Sequence, residues 1–234
     1  MRIFYPDFIV KALLQILPYL GVTIGIVAGT VFGGGLLGLL IARAKIRRKR
    51  ISKALADSYT YIVRCIPSIV MLFLVYYGLP ELILAATGYN CNGFPKIFFV
   101  LFTFIILFAA NMSEVMRSAY EAIDSGQMEA ALSTGLSGFQ SFRRIVLPQS
   151  IAVALPNFSN ALITLMKEGA LAYTIGMVDI MGKGKLIIGI NYGAYALETY
   201  IALGILYWLL TILVEKSFGT LERKLLKGKR ILQG

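Results

Sequence analysis

Apolar residues along this chain come in long runs, without the alternation of a half-buried strand, and each run is closed by charge, proline or glycine. A helix that crosses a bilayer needs about 20 mainly apolar residues. Runs of that kind predict spans over Tyr19–Ala42, Tyr59–Leu79, Ile97–Met116 and Leu197–Val214; the second is entered through Arg64 and Pro67 and ended by Pro80. A further span starts after Pro148 and is interrupted. Its first stretch, Ile151–Met166, has 16 residues, which makes about 24 Å of helix, short of a core roughly 30 Å thick. Lys167-Glu168-Gly169 follows, and apolar character resumes over Ala170–Val178. A charged pair beside a glycine predicts a discontinuous helix, and irregular backbone at that depth is tolerated where it lines a cavity. The pattern thus predicts an all-α membrane protein with five spans. The first 18 residues, which contain Pro6 and Pro18, are read as a short surface helix.

Two local patterns stand out. Gly21, Gly25, Gly29 and Gly33 recur every four residues in the first span, so they share one helix face on which another helix can approach closely. That helix could belong to a partner subunit or to this chain. The second pattern is a polar island between apolar stretches, Glu121–Pro148. Asp124 is placed to cap a helix, with Gln127 closing a capping box. The helix would run through Glu129-Ala130-Ala131 and stop at Gly135 as a left-handed residue. Ser137 and Gln140 form a second capping box. Phe139, Phe142 and Val146 make an apolar face beside Arg143 and Arg144. Leu147, preceding a proline, favours extended geometry and ends this helix; Pro148 starts the next.

Charge orients the spans. The chain is 58% hydrophobic and 15% charged with a net charge of +11. A basic surface of that size invites a nucleic-acid reading, but the basic residues sit in two clusters beside apolar runs: Arg43, Lys45, Arg47, Arg48, Lys49, Arg50 and Lys53, then Lys216, Arg223, Lys224, Lys227, Lys229 and Arg230. That is the positive-inside pattern, and no nucleic-acid partner is expected. Both clusters should be cytoplasmic and the Pro80–Lys96 segment outside, so the N-terminus is outside and the C-terminus cytoplasmic. The chain has no His, which removes Ser-His triads and His metal sites. Cys65 and Cys91 should lie toward opposite faces of the bilayer and stay unpaired. No cleavable signal peptide is apparent.

Glu129-Ala130-Ala131, three residues, Gly135, nine residues, Ile145, any residue and Leu147-Pro148 together resemble the EAA signature of ABC importer membrane subunits, with every fixed position filled. The resemblance covers nearly the whole chain and is greatest to permeases for polar amino acids. Gly126-Gln127, Leu147-Pro148-Gln149, Pro156 and Asn160 follow that pattern, as do Glu114 and Arg117. Departures occur at Arg64-Cys65-Ile66-Pro67, for the usual Arg-Gly-Thr-Pro, and at Lys167-Glu168-Gly169-Ala170-Leu171, for Lys-Asp-Thr-Ser-Leu. Leu171–Trp208 is most similar to cystine permeases. The resemblance implies one transmembrane domain of the type I importer fold over residues 1–234, with a core of about 19–218 and a cytoplasmic coupling loop over 121–148. Gly126, Gln127, Glu129, Ala130, Ala131, Gly135, Leu147 and Pro148 would serve ATPase coupling. Implied partners are a dimer of ATPase subunits carrying the ATP and Mg, a second permease subunit, an extracytoplasmic amino-acid-binding protein, the amino-acid substrate and the bilayer of a bacterial cell membrane. No catalytic residue, cofactor or metal is expected in this chain.

Lys167, Glu168 and Arg64 are the candidates for the translocation path, because ionisable groups at membrane depth face cavities or each other. A zwitterion needs one partner of each sign, and the Lys167–Glu168 pair supplies both; a structural ion pair is the competing reading. Arg64 reads as a headgroup anchor or a gate. Glu114 and Arg117, at i, i+3 on one face, read as a structural pair that positions the loop. Tyr76, Tyr77, Tyr192, Tyr195 and Tyr200 read as an interfacial aromatic belt. Gly182-Lys183-Gly184-Lys185 fails the phosphate-loop spacing, since five residues separate Gly176 from Gly182 and Gly184 stands where a hydroxyl is needed. An ion-gradient-driven secondary transporter would share the basic loops and the broken helix, but gives no reason for the Glu129–Pro148 pattern.

Overall fold

The computed structural model describes residues 4–47 and 49–227, so Arg48, Lys229 and Arg230 of the basic clusters, and the Lys227 side chain, lie outside the described residues. Helix α1 (Pro6–Ile16) passes through a 3₁₀ turn (Leu17–Tyr19) into α2 (Leu20–Ile46). After α3 (Arg50–Cys65), a continuous helical run joins α4 (Ser68–Phe73), a π turn (Leu74–Gly78) and α5 (Leu79–Thr87). Helix α6 (Lys96–Glu121) is followed by the short α7 (Ser125–Ser133) and α8 (Gly138–Ser141). A second π turn (Phe142–Val146) leads into α9 (Leu147–Gly169), which tightens to 3₁₀ over Ala170–Ile175. Helices α10 (Ile180–Ile190) and α11 (Ala196–Lys227) complete the fold. Among the described residues, five runs are long and apolar enough to cross a membrane: Pro6–Ile46, Ser68–Thr87, Lys96–Glu121, Gly138–Ile175 and Ala196–Lys224. The number matches the hydrophobic pattern; several boundaries do not.

The boundary errors trace to proline. Proline lacks the N–H that an α-helix uses and crowds the carbonyl four residues back. Pro80 was expected to end a span and Leu147-Pro148 to end a helix. Neither does, because a π turn stands directly before each Leu-Pro pair. The wider turn absorbs the unmatched carbonyl and lets the helix continue. Leu147 is accordingly helical, at φ −60° and ψ −48°, and its N–H reaches back to the Phe142 carbonyl. The break falls elsewhere. Ile66 and Pro67 are extended (ψ 125° and 140°) and separate α3 from α4, so the predicted span Tyr59–Leu79 is cut in two. No break occurs at Lys167-Glu168: both lie in the last turn of α9, and the change to 3₁₀ comes after Gly169.

Helix α6 is the central post. It packs along α2, α3 and α9, and Val100, Phe104, Phe108 and Met112 bury against Ile26 of α2, Leu72 of α4 and Ala161 and Leu165 of α9. Glycines bring α2 to α6, and the closest backbone approaches are at Gly34 and Gly38, outside the four-residue ladder. A Cβ on Gly34 would stand 3.1 Å from the Ile105 carbonyl, and one on Gly38 would stand 3.1 Å from the Ala109 carbonyl. Gly29 and Gly33 face Leu101 and Ile105. The inner part of the ladder therefore packs within the chain. Gly21 and Gly25 meet nothing within 4 Å.

A second core joins α1, α10 and α11 through Ala12, Ile16, Ile180, Ile187, Ala202, Leu203 and Leu206. The first residues thus form a helix as expected, but one face of it is core rather than surface. Asp179 caps α10: its buried carboxylate accepts from the Gly182 N–H at 2.8 Å and from the Thr23 hydroxyl of α2 at 3.4 Å. Gly182 and Gly184, which superficially suggested a phosphate loop, lie inside this helix. A Cβ on Gly182 would collide with the Met177 carbonyl at 2.4 Å and one on Gly184 with Leu203 at 2.6 Å. These glycines serve close packing. Cys65 is exposed, Cys91 is buried and both are free. Tyr77, Tyr192 and Tyr200 are exposed, whereas Tyr195 stacks on Phe8 at 4.0 Å between ring centroids.

Candidate functional site

Where α3 breaks, the backbone opens a cavity of about 270 Å³. Val63, Arg64, Ile66 and Ser68 line it from the break, Phe104, Leu107, Phe108 and Asn111 from α6, and Ala161, Thr164, Leu165 and Glu168 from α9. Its walls are apolar except for one cation, one carboxylate and three neutral polar side chains. A cation and a carboxylate facing one cavity suit a small zwitterion, since a few placed polar groups fix orientation. The irregular backbone at Ile66–Pro67 is where a membrane helix can be interrupted, because it lines a cavity.

The cavity unites two of the three path candidates and separates the third. Arg64 and Glu168 both line it. Lys167 does not; it is exposed, as Arg64 is, while Glu168 is half-buried. Successive residues on a helix point about 100° apart, and at this place on α9 Glu168 faces the cavity while Lys167 turns out of it. Among the described residues Lys167 and Glu168 form no ion pair with each other, so the pair does not act as a structural clasp either. Ser68, Asn111 and Thr164 were missed by sequence reasoning. Asn111 alone carried a signal, as an amide within an otherwise apolar stretch one turn before Glu114.

The polar island forms two capped helices. The Asp124 carboxylate accepts from the Gly126 N–H at 2.6 Å to start α7. Gln127 does not close a box; its backbone N–H instead donates to the Asp124 carbonyl at 3.1 Å. Gly135 is left-handed at φ +85°. Its N–H donates to Leu132 O at 3.0 Å and the Leu136 N–H to Ala131 O at 3.3 Å, the paired bonds of a Schellman stop. The Ser137–Gln140 capping box is present. Ala131 is buried, whereas Gly126, Gln127, Glu129, Ala130, Gly135 and Pro148 are exposed and Leu147 is half-buried. The expected apolar face is incomplete: Val146 is buried, but Phe139 is 71% exposed, and Leu132 is 47% exposed. A short helix therefore presents a carboxylate, a small residue and free apolar side chains to an outside surface.

Between cavity and loop lies a charge network centred on one buried ammonium, with partners that are partly exposed. Lys45, in the last turn of α2, is fully buried. Its ammonium donates to the Thr60 hydroxyl of α3 at 2.7 Å and to the Glu114 carboxylate of α6, and lies 3.8 Å from Asp57 of α3. Glu114 also accepts from Arg117 at 2.7 Å, Arg117 pairs with Glu121, and Asp57 accepts from Lys53 at 2.7 Å. The Glu114–Arg117 pair forms as its spacing suggested. Lys45 was read only as one of a cytoplasmic basic cluster, because nothing in a run of basic residues tells which one points inward.

Comparison with known proteins agrees with this architecture. Residues 34–227 match the family described as binding-protein-dependent transport system inner membrane component. The L-cystine transport system permease protein TcyL of Bacillus subtilis (strain 168) is 37% identical over 90% of this chain and 87% of its own length. The arginine transport system permease protein ArtQ of the same organism is 33% identical over 90% of this chain and 92% of its own length. A chain from the crystal structure of an amino acid ABC transporter with histidines superposes with a TM-score of 0.81 at 29% identity, covering 96% of this chain and all of that one. A chain of the inward-facing MetNI methionine ABC transporter has a TM-score of 0.68 at 18% identity, over 87% of this chain and 92% of that one, and so shares the fold.

Proposed function

The chain belongs to the family of binding-protein-dependent transport system inner membrane components, and from that premise we propose that its cavity carries L-cystine through the membrane by alternating access. It is a multi-pass membrane permease subunit of an ABC importer for polar amino acids and not itself a catalyst. The single observation that carries the finer reading is the cavity, which sets Arg64 and Glu168 on opposing elements among Ser68, Asn111 and Thr164. Arg64 takes the α-carboxylate and Glu168 the α-ammonium. Arg64 and Glu168 meet one zwitterionic end of cystine, and the other end, which carries a second ammonium and a second carboxylate, is met by the same pair on the second permease subunit. The 37% identity to a cystine permease supports this choice of substrate.

In this reading the loop is cytoplasmic and the N-terminus outside, as the basic clusters require. Residues 1–234 form one transmembrane domain with a core of about 19–218. Glu129 and Ala130, exposed between Gly126-Gln127 and Gly135, seat in a groove of the ATPase, with Leu132 and Phe139 beside them and Leu147-Pro148 at the loop's base. Two permease subunits enclose the path, two ATPase subunits bind ATP and Mg, and an extracytoplasmic binding protein delivers the amino acid. Nucleotide binding closes the ATPases and shifts the permease between inward-open and outward-open states, a differential contact in two states. Competition of radiolabelled cystine uptake by a panel of amino acids in the reconstituted complex tests the assignment. Competition by unlabelled cystine that exceeds that of every other amino acid in the panel is expected; stronger competition by any other amino acid, neutral or charged, would displace cystine.

A further inference from the structure

We infer that Lys45 is a positioning residue that transmits displacement of the loop to the cavity, a proposal that rests on the permease reading above. Three observations carry it. First, a fully buried ammonium is an expensive way to pack α2 against its neighbours, since apolar side chains of similar volume hold helices together at least as well. What the ammonium supplies and an apolar side chain would not is a set of directional, charged contacts to α3 and α6. Second, both hydrogen-bond partners of Lys45 sit one turn from cavity residues on their own helices: Thr60 from Arg64 on α3, and Glu114 from Asn111 on α6. The ammonium therefore fixes the relative position of the two walls. Third, the network runs on through Arg117 to Glu121, the last residue of α6, three positions before the Asp124 cap of α7.

The network is also built to hold two arrangements. Glu114 has two cationic partners, Lys45 and Arg117, and Lys45 has two carboxylates in reach, Glu114 and Asp57. Movement of the α6 end away from α2 leaves Glu114 with Arg117 and Lys45 with Asp57 and Thr60. No charge is stranded in either state, so the switch avoids the penalty for a buried unpaired ion. Such an element, biased from either end, is the physical requirement for coupling two sites.

The test uses the complete transporter, permease with ATPase and binding protein, in proteoliposomes, and reads amino acid imported per ATP hydrolysed. Lys45→Met removes the charge and keeps the volume, while Glu114 keeps Arg117 and Asp57 keeps Lys53. The complex is expected to assemble, with imported substrate per ATP falling on the order of tenfold and Lys45→Arg restoring most of it. Loss of assembled complex with an unchanged ratio in what remains is the outcome of a purely structural role and would overturn the inference, as would a wild-type ratio in Lys45→Met. If Lys45→Met yields no complex, Thr60→Val combined with Asp57→Ala carries the same readout, because together they remove both links of Lys45 to α3 and leave its link to Glu114: a lowered ratio supports the inference and a wild-type ratio overturns it. The permease reading fails separately. Absence of ATP-driven uptake by the wild-type complex would remove that reading and this inference with it, whereas normal wild-type uptake with a normal Lys45→Met ratio removes only the inference.

Discussion

At the scale of single residues, position relative to the cavity outweighs charge. Glu168 lines it and Lys167, its neighbour, does not. Glu168→Gln keeps the shape and removes the charge. A hydrogen bond to a charged group is worth about 1.5–3 kcal/mol, so uptake should fall by roughly tenfold to a hundredfold at subsaturating substrate while ATPase co-purification is retained. Lys167→Ala should change uptake little; initial rates of labelled amino-acid uptake check both. Glycines divide in the same way. A side chain at Gly38 meets the Ala109 carbonyl and Met112, with 3.0 Å to the Met112 Cβ, and overpacking of that kind costs about 1–3 kcal/mol. Gly38→Val should therefore lower the thermal midpoint in detergent. Gly21→Ala, with open space around it, should not. The sequence showed a ladder but could not say which rungs were occupied, because periodicity fixes a face and leaves its partner undefined. Lys45 was illegible for a related reason: basic residues in a row look alike until the neighbouring helices are in place.

Single elements were legible where the signal was local. Asp124, Gly135 and the Ser137–Gln140 box are read from neighbours in sequence, and all three do what their chemistry suggests. Helix ends at proline were misread, because the device that tolerates Pro80 and Pro148 is a π turn with no composition of its own. The loop makes two testable statements. Gly135→Ala forces a left-handed conformation on a residue with a Cβ, at about 1–2 kcal/mol. The Schellman stop should fray, and the yield of ATPase-bound complex should fall on size-exclusion chromatography. We propose that the groove receiving Glu129, the one charged residue of α7, is basic, so Glu129→Lys places a cation opposite cations. Like charge across an interface costs several kcal/mol, so co-purification of the ATPase should be lost while membrane insertion of the chain is preserved. Normal co-purification with this variant would move the docking surface away from α7.

For the whole molecule, hydrophobic runs gave the all-α class and the number of long apolar helices, since both depend on length and composition alone. The cavity was only half visible. It is assembled from α3, α4, α6 and α9, brought together by helix packing that no local pattern encodes, and its break lies at Ile66–Pro67 instead of beside Lys167. As proposed, the chain lines a passage for the amino acid that is worked by a separate ATPase through α7. Uptake of labelled cystine into proteoliposomes holding the permease, with and without the ATPase, ATP and ionophores, tests this most directly. Uptake that requires the ATPase and ATP and survives collapse of ion gradients is the predicted result. Uptake by the chain alone, driven by a gradient and abolished by ionophores, would contradict it.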